Sequence, residues 1–523
     1  MLGLVLLTLL PIALIIYLMI GRRFAADTSG VIGWLLTVVI AVAFFGTSPE
    51  MGIRATIAGI ISSFPVSLMV VTSILQITFM EATGALRRIA VFVKTLAPGN
   101  RAVQIMMINV GAGTLLVAVG ATPVSILPPI MIALGYSTFV AVALPAIGYD
   151  GLCTFALLGA PLVVYSDLTG TPLVQSAQVF ARFLPVISVL IGFGMLWIVG
   201  RGKLMRKGFI PCVLAGLTNG GVAVAVAYTP FLAAGVVLTG VISGACTIAV
   251  MVLFLVLRGE PVMDRALLTD EDRRIARDMP LWKALSPWII LVAASFAVNF
   301  YAPAFDLLYR KIEMAVSILP GQSIKTRMLW NAYTWVLIST VLALPFLRPS
   351  VPALRETLLK WMKRSPRPAL SAAIFFAIAF VMNNTGASIE WVNGAGKLVT
   401  DHTNNMIWVL AQGSAAAFGT LYPFISGYLG LFGGFISGSE ASTIAMFTKY
   451  HLLTSKLLDM NALIVTAATA IGGGLASVIS PAKLQNAAAT IDALGIESRV
   501  IRTAFVISLT ITFVAAAMAF WMA

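Results

Sequence analysis

Along most of the chain, apolar blocks long enough for a membrane helix alternate with short polar or basic loops. The blocks at 31–45, 229–257, 286–299 and 503–522 hold almost no charge over lengths near or above what a bilayer core requires. The block at 2–20 has no basic segment before it, and Arg22 and Arg23 follow it. It reads as a retained first helix, not a secretory signal. Residues 104–134 and 427–447 differ from the rest, because glycine, proline and serine interrupt them. Backbone released from a helix at membrane depth is tolerated only where protein or a water-filled cavity encloses it. One such interruption in each half predicts a carrier with its site near the bilayer midplane.

Composition fixes the class. Hydrophobic residues make up 59% of the 523 residues and charged ones 10%, against about 25% charged in soluble domains. The expected fold is an all-α polytopic membrane protein of the cell membrane, with about 12 spanning helices. Two re-entrant or broken-helix regions in inverted repeats complete it. The formal charge of +14 would suggest nucleic acid in a soluble protein. Here Lys and Arg occupy short inter-span loops and report orientation, so the bilayer is the expected partner and nucleic acid is not. Placing the clusters at 22–23, 87–94, 201–207, 258–277 and 360–367 in the cytoplasm requires paired crossings between them. Segments 30–46 with 56–80, 138–163 with 183–200, 209–227 with 230–257, and 284–304 with 328–347 supply those pairs if 104–134 is re-entrant.

The most polar internal stretch predicts a cytoplasmic linker at 258–283 carrying a short surface helix. It separates a first membrane half, 1–257, from a second, 284–523. In the first, the interrupted region 104–134 precedes a broken segment at 148–161. In the second, 427–447 precedes 472–489. Small-residue break, apolar helix, second break with polar groups: both halves share this order, the trace an inverted duplication leaves.

Cys153, Cys212 and Cys246 stand in apolar surroundings without a CxxC pair and read as small buried hydrophobes. His402 and His451 lie far apart beside polar loops. Neither a metal nor another cofactor is expected, and no nucleophile–base pair suggests an enzyme. Trp288, Trp330, Trp335, Trp391 and Trp408 fall near span ends and read as interface anchors.

The chemistry concentrates at the interruptions. In 437–443, Gly438 permits an unwound turn, and Ser437, Ser439, Ser442 and Thr443 offer hydroxyls and free N–H groups. A helix starting there points its positive end at the gap and favours an anion. Glu440 occupies that first turn, either as a capping partner or as the carrier of a proton or cation. Thr122, Pro123 and Ser125 repeat the pattern in the first half, where Pro123 removes a backbone donor. Pro128 and Pro129 predict a second break or kink. Asp150, between Gly148 and Gly151, needs a partner or a task, and Tyr149 offers a hydroxyl. Ser480, Lys483, Gln485 and Asn486 follow a triple glycine. Lys483 can counter Asp150 or Glu440, receive a substrate's charge, or reach toward headgroups. Asn383, Asn384 and Thr385 either line the pathway or end a helix.

These residues carry a resemblance to the lactate permease family, which imports lactate and glycolate with protons. Its anchors are ATPV at 121–124 with LG at 134–135, FISGSEAST at 435–443 before AMF, and ISP at 479–481 ahead of Gln485. The family's TGSD-T-S-N pattern falls on Ser437, Gly438, Ser439, Glu440, Ser442, Thr443 and Ile444. Glu440 replaces an aspartate and Ile444 an asparagine. A family glutamate falls near Leu115, an asparagine–threonine pair is replaced by Tyr149 and Asp150, and a glutamine–serine pair by Ala482 and Lys483. The resemblance implies paired re-entrant hairpins, elevator-like movement and a homodimer.

The resulting expectation is proton symport of L-lactate or a related small 2-hydroxy monocarboxylate. Thr122 and Ser439 would hold the carboxylate, Tyr149 or Gln485 the hydroxyl, and Asp150 or Glu440 the proton. Alternatives are a proton- or sodium-coupled carrier of a dicarboxylate or sulfonated hydroxy acid and, from another class, a cation/proton antiporter or anion channel.

Overall fold

The computed structural model describes residues 2–392 and 395–523. Twelve of its helices are long and apolar enough to cross a membrane, which makes the chain an all-α polytopic membrane protein. Several expected spans are subdivided where proline dictates it. The stretch 56–80 becomes Pro49–Ser62 and Phe64–Ala82, separated at Ser63 just ahead of Pro65. Ser286–Phe300 turns by 88° into Ala302–Lys311 at Tyr301, whose backbone is extended, and Pro303 sits in the first turn of the new helix, where its missing N–H costs nothing. Ala332–Leu347 is a shorter apolar helix.

Pro128 and Pro129 do not break the chain: both sit inside one helix, Pro123–Ala133. Each proline removes one i→i−4 bond, freeing the carbonyls of Val124 and Ser125 without ending an element held at both ends. A further departure is two small antiparallel ribbons, Ala315–Val316 with Ile324–Lys325 and Ala387–Val392 with Ala395–Thr400. Asn383, Asn384 and Thr385 end the helix Pro366–Asn383. Thr385 Oγ1 accepts from the Met406 N–H at 2.8 Å and Asn405 Nδ2 donates to the Thr385 carbonyl at 2.8 Å, so they also pin the start of Met406–Phe418.

Within 258–283, Asp270–Asp278 forms a helix closed by a capping box between Thr269 and Asp272. Asp272 also pairs with Lys94 at 3.0 Å, and Asn100 Nδ2 donates to Glu260 at 2.8 Å, so the segment is strapped to the amphipathic helix Ala85–Lys94. Burial alone would raise the Asp272 carboxyl. The Lys94 ammonium and the Thr269 donors outweigh burial and hold it below its ordinary value.

The core has two main clusters. Helices of residues 2–62 pack on Pro366–Asn383 and Met406–Phe418, while most of the remaining apolar residues join a second cluster. The interrupted elements meet inside the second cluster, and their contacts are reciprocal. Glu440–Leu458 packs on Ala156–Thr169, as Pro481–Ala489 packs on Pro123–Ala133. The turn Asp150–Phe155 packs on Ala462–Leu475, as Ala476–Ile479 packs on Thr138–Ile147.

Small residues make the close approach possible. A Cβ at Gly430, Gly434 or Gly472 would run into backbone at Thr469, Gly473 or Gly427, so Tyr422–Ser437 and Ala462–Leu475 touch almost backbone to backbone.

Some residues fall elsewhere than expected. His451 is not beside a polar loop but fully buried within Glu440–Leu458. Its Nδ1 lies 2.7 Å from the Tyr422 hydroxyl and its Nε2 2.7 Å from Thr469 Oγ1. The helix runs on to Leu458, seven residues past His451. Trp288 and Trp330 are buried in the core instead of anchoring an interface, whereas Trp391 is exposed on its strand.

Candidate functional site

Local chain chemistry sets both helix interruptions. The first arm, Arg101–Ala118, starts where the Asn100 side chain accepts from the Val103 N–H. It ends in a Schellman turn. Gly120 takes φ +87°, its N–H bonds the Val117 carbonyl, and the Ala121 N–H bonds the Leu116 carbonyl. Thr122 is then extended and Pro123 opens the next helix. Gly135, at φ +80°, closes that helix by the same two bonds, to Ile132 and Met131. The ATPV and LG runs are thus a stop, a start and a second stop.

In the other half, Tyr422–Ser437 ends at Gly438, φ +66°, and Ser439 begins Glu440–Leu458. Three local hydroxyls bond nearby backbone groups. Ser439 Oγ accepts from the Ser442 N–H at 3.3 Å, Ser437 Oγ donates to the Gly433 carbonyl, and Thr443 Oγ1 donates to the Ser439 carbonyl at 2.8 Å. Ser442 Oγ is buried without a partner.

The other two breaks bring in the charges. At 148–161 the chain passes through a 3₁₀ turn, Asp150–Phe155, and then through positive φ at Leu157, Leu158 and Gly159. Non-glycine residues at positive φ are strained and persist only where surrounding structure fixes them. At 472–489 a 3₁₀ turn, Ala476–Ile479, leads through Ser480 into Pro481–Ala489.

Across the interface between halves, Thr154 Oγ1 donates to Glu440 Oε1 at 2.6 Å. The other oxygen, Oε2, has no partner and faces Gly474, where a Cβ would come within 2.8 Å. Lys483 Nζ donates to Ser477 Oγ at 2.6 Å and to the Tyr149 hydroxyl at 3.3 Å. Asp150 is buried and neither carboxylate oxygen has a hydrogen-bond partner. Lys483 and Glu440 are the charged groups close enough to act on it. Two acids and one base therefore lie in one buried cluster with hydroxyls, built from chain segments about 300 residues apart.

The remaining expected residues spread outward from this cluster. Ser480 is buried opposite Gly438, where a Cβ would lie 3.4 Å from its hydroxyl. Ser125 Oγ accepts from Asn486 Nδ2 at 3.3 Å, linking first-half and second-half helices. Pro123 is buried at the helix start, while Thr122 and Gln485 are exposed. Sequence reasoning missed Thr154 and Ser477. A lone threonine and a lone serine among apolar neighbours carry no local signal, and only the fold shows that each, in its 3₁₀ turn, faces a charged group. Cys153 lies beside Glu440 and Gly474. Among the described residues, no three His, Cys, Asp or Glu side chains gather as metal ligands. The arrangement can bind a small anion through Lys483 and hydroxyls, and can exchange protons at two carboxyls.

Comparison with known proteins agrees along almost the full length. A family model described as L-lactate permease matches residues 5–523. An L-lactate permease of Streptococcus iniae is 24% identical over 464 residues, covering 87% of this chain and 91% of that protein. A glycolate permease of Escherichia coli is 24% identical over 546 residues, with 95% and 91% covered. The L-lactate permease of Bacillus subtilis is 23% identical over 539 residues, with 94% and 91% covered.

Proposed function

Because this chain belongs to the L-lactate permease family, and so is a secondary transporter of a small organic acid, we propose that it imports L-lactate or a related 2-hydroxy monocarboxylate by proton symport. The observation that supports this most is the cluster shared between halves, with Lys483 reaching Tyr149 and Ser477 while Asp150 and one Glu440 oxygen stay unpartnered. In this reading Lys483 and the helix starts at Pro123 and Glu440 receive the carboxylate. Tyr149 or Gln485 reads the 2-hydroxyl. Glu440 or Asp150 carries the proton.

The energetics favour coupling. An inward-negative potential opposes anion entry by about 2.3 kcal/mol per charge per 100 mV, and one co-transported proton cancels that opposition. The reciprocal contacts of the four interrupted elements support two inverted halves, 1–257 and 284–523, joined by 258–283. Re-entrant hairpins at 104–134 and 427–447 would carry the site across the membrane in an elevator motion, within a homodimer as the family likeness implies.

Uptake into proteoliposomes under separate proton and sodium gradients tests the proposal. Lactate or glycolate should accumulate when the outside is acidic, with or without sodium. Accumulation that follows sodium and ignores pH would overturn the proton assignment.

One observation favours a second reading. Among the described residues no carboxylate lies within ion-pair distance of Lys483, so its charge is free for an additional anionic group. A dicarboxylate or sulfonated hydroxy acid would use it, driven by protons or sodium. Under that reading a dianion competes with lactate uptake more strongly than glycolate does, and Lys483→Ser removes this advantage. Family membership leaves the antiporter and channel alternatives without support.

A further inference from the structure

Apart from the central cluster, one groove of about 450 Å³ is lined by cations from two separated stretches of chain: Arg101, at the start of the first interrupted arm, and Lys203, Arg206 and Lys207, at the end of Leu184–Lys207. All four are exposed, and among the described residues none forms an ion pair with a carboxylate. We propose that this groove binds the phosphate headgroup of an anionic phospholipid.

The backbone is shaped to build it. Helical geometry breaks at Gly200 and at Arg201, where φ is +53° and ψ is −152°. That is a conformation few residues other than glycine adopt and one that persists only where the surroundings hold it. Lys203, Arg206 and Lys207 follow at i, i+3 and i+4, so they share one face of the redirected turn. Arg201 itself stacks over Trp197 at 4.3 Å, and Arg101 lies over the Tyr136 ring at 5.4 Å. Loop cations that only report topology need not converge on a cavity from positions 100 residues apart; these do.

The surroundings select a lipid over a free anion. Phe209, two residues past Lys207, packs against Phe193 with ring centroids 5.5 Å apart. From there Ile210, Leu214 and Leu217 stand exposed at i, i+4 and i+7 along Phe209–Tyr228, an apolar stripe that continues from the basic end. Cations beside an acyl-compatible stripe match a phospholipid, polar at one end and apolar along its length. Occupancy would also bear on the interrupted arm. A Cβ at Gly208 would come within 2.7 Å of Ala102, so the headgroup would bridge two helix ends already in close contact.

The test uses the full-length protein, delipidated in neutral detergent and examined by native mass spectrometry and thermal melting. Phosphatidylglycerol, phosphatidylcholine and inorganic phosphate are added separately. Phosphatidylglycerol should be retained and raise the melting temperature, phosphatidylcholine should do neither, and phosphate alone should not reproduce the effect. Retention should weaken about five-fold for each cation neutralised, through Arg101→Gln alone and through the combined Lys203→Gln, Arg206→Gln and Lys207→Gln variant. Arg22→Gln with Arg23→Gln, outside the groove, should leave it unchanged. If the combined variant does not fold, Arg101→Gln, an exposed single change, gives the same reading. Equal retention of both lipids, full reproduction by phosphate, wild-type retention in the groove variants, or an equal loss in the Arg22 and Arg23 control would each overturn the proposal.

Discussion

The interruptions at Thr122 and at Ser439 are built alike and furnished differently. Both follow a glycine at positive φ, and both place an extended hydroxyl residue ahead of a new helix. At the first, the Thr122 hydroxyl makes no capping bond and stands exposed. At the second, the Ser437 and Thr443 hydroxyls donate to the Ser439 carbonyl, Ser439 Oγ accepts from the Ser442 N–H, and Glu440 is buried against Thr154. One break keeps its hydroxyl available; the other ties most of its hydroxyls to local backbone, ahead of a carboxylate held by Thr154. Backbone geometry alone therefore does not make the two breaks equivalent: under the proposed function both helix starts face the anion, the first adds a free hydroxyl, and the second adds a buried carboxyl to carry the proton.

Removing the charge at the second break should have the largest effect. Glu440→Gln is expected to collapse lactate accumulation under a one-unit pH gradient from about tenfold to about unity. Exchange of labelled for unlabelled lactate should persist. An unchanged gradient response would assign the proton elsewhere, with Asp150 the next carboxyl to replace.

Lys483→Met should follow, raising the KM for uptake about tenfold or more, the cost of losing a charged hydrogen-bond donor. Its pH response should survive. If KM stays the same, Lys483 serves only to hold Tyr149 and Ser477 together.

Gly474→Ala puts a methyl 2.8 Å from Glu440 Oε2 and 3.0 Å from Cys153 Cβ. Overpacking of this kind costs about 1–3 kcal/mol, measurable as a lower melting temperature in detergent, and coupling should weaken with it.

The smallest effects separate the two breaks most cleanly. Thr122→Val should raise KM up to about five-fold, the worth of one neutral hydrogen bond, without changing the melting temperature. Ser439→Ala should do the reverse, costing about 1 kcal/mol of stability through the lost cap with little change in KM. Matching effects from the two substitutions would erase the distinction.

What the sequence disclosed is what short-range chemistry determines. Gly120 with Pro123, Leu134 with Gly135, and Ser437 to Glu440 announce their stops and starts because capping uses neighbours within a few residues. The membrane class followed from composition and the length of the apolar blocks. Lateral contacts were not legible. Thr154 and Ser477 matter through partners brought by the fold, and His451 is buried by Tyr422 and Thr469 on neighbouring helices. Nor did the pattern of prolines reveal that Pro123–Ala133 would absorb two of them without breaking, or that Ala387–Val392 would pair with Ala395–Thr400.

The most direct test is an electron cryomicroscopy map of the protein in lipid nanodiscs with a small hydroxy acid bound. The ligand's carboxylate should lie against Lys483, between the helix starts at Pro123 and Glu440, with residues of both halves in contact. Ligand density confined to one half, or lying away from Lys483 and both helix starts, would contradict the account.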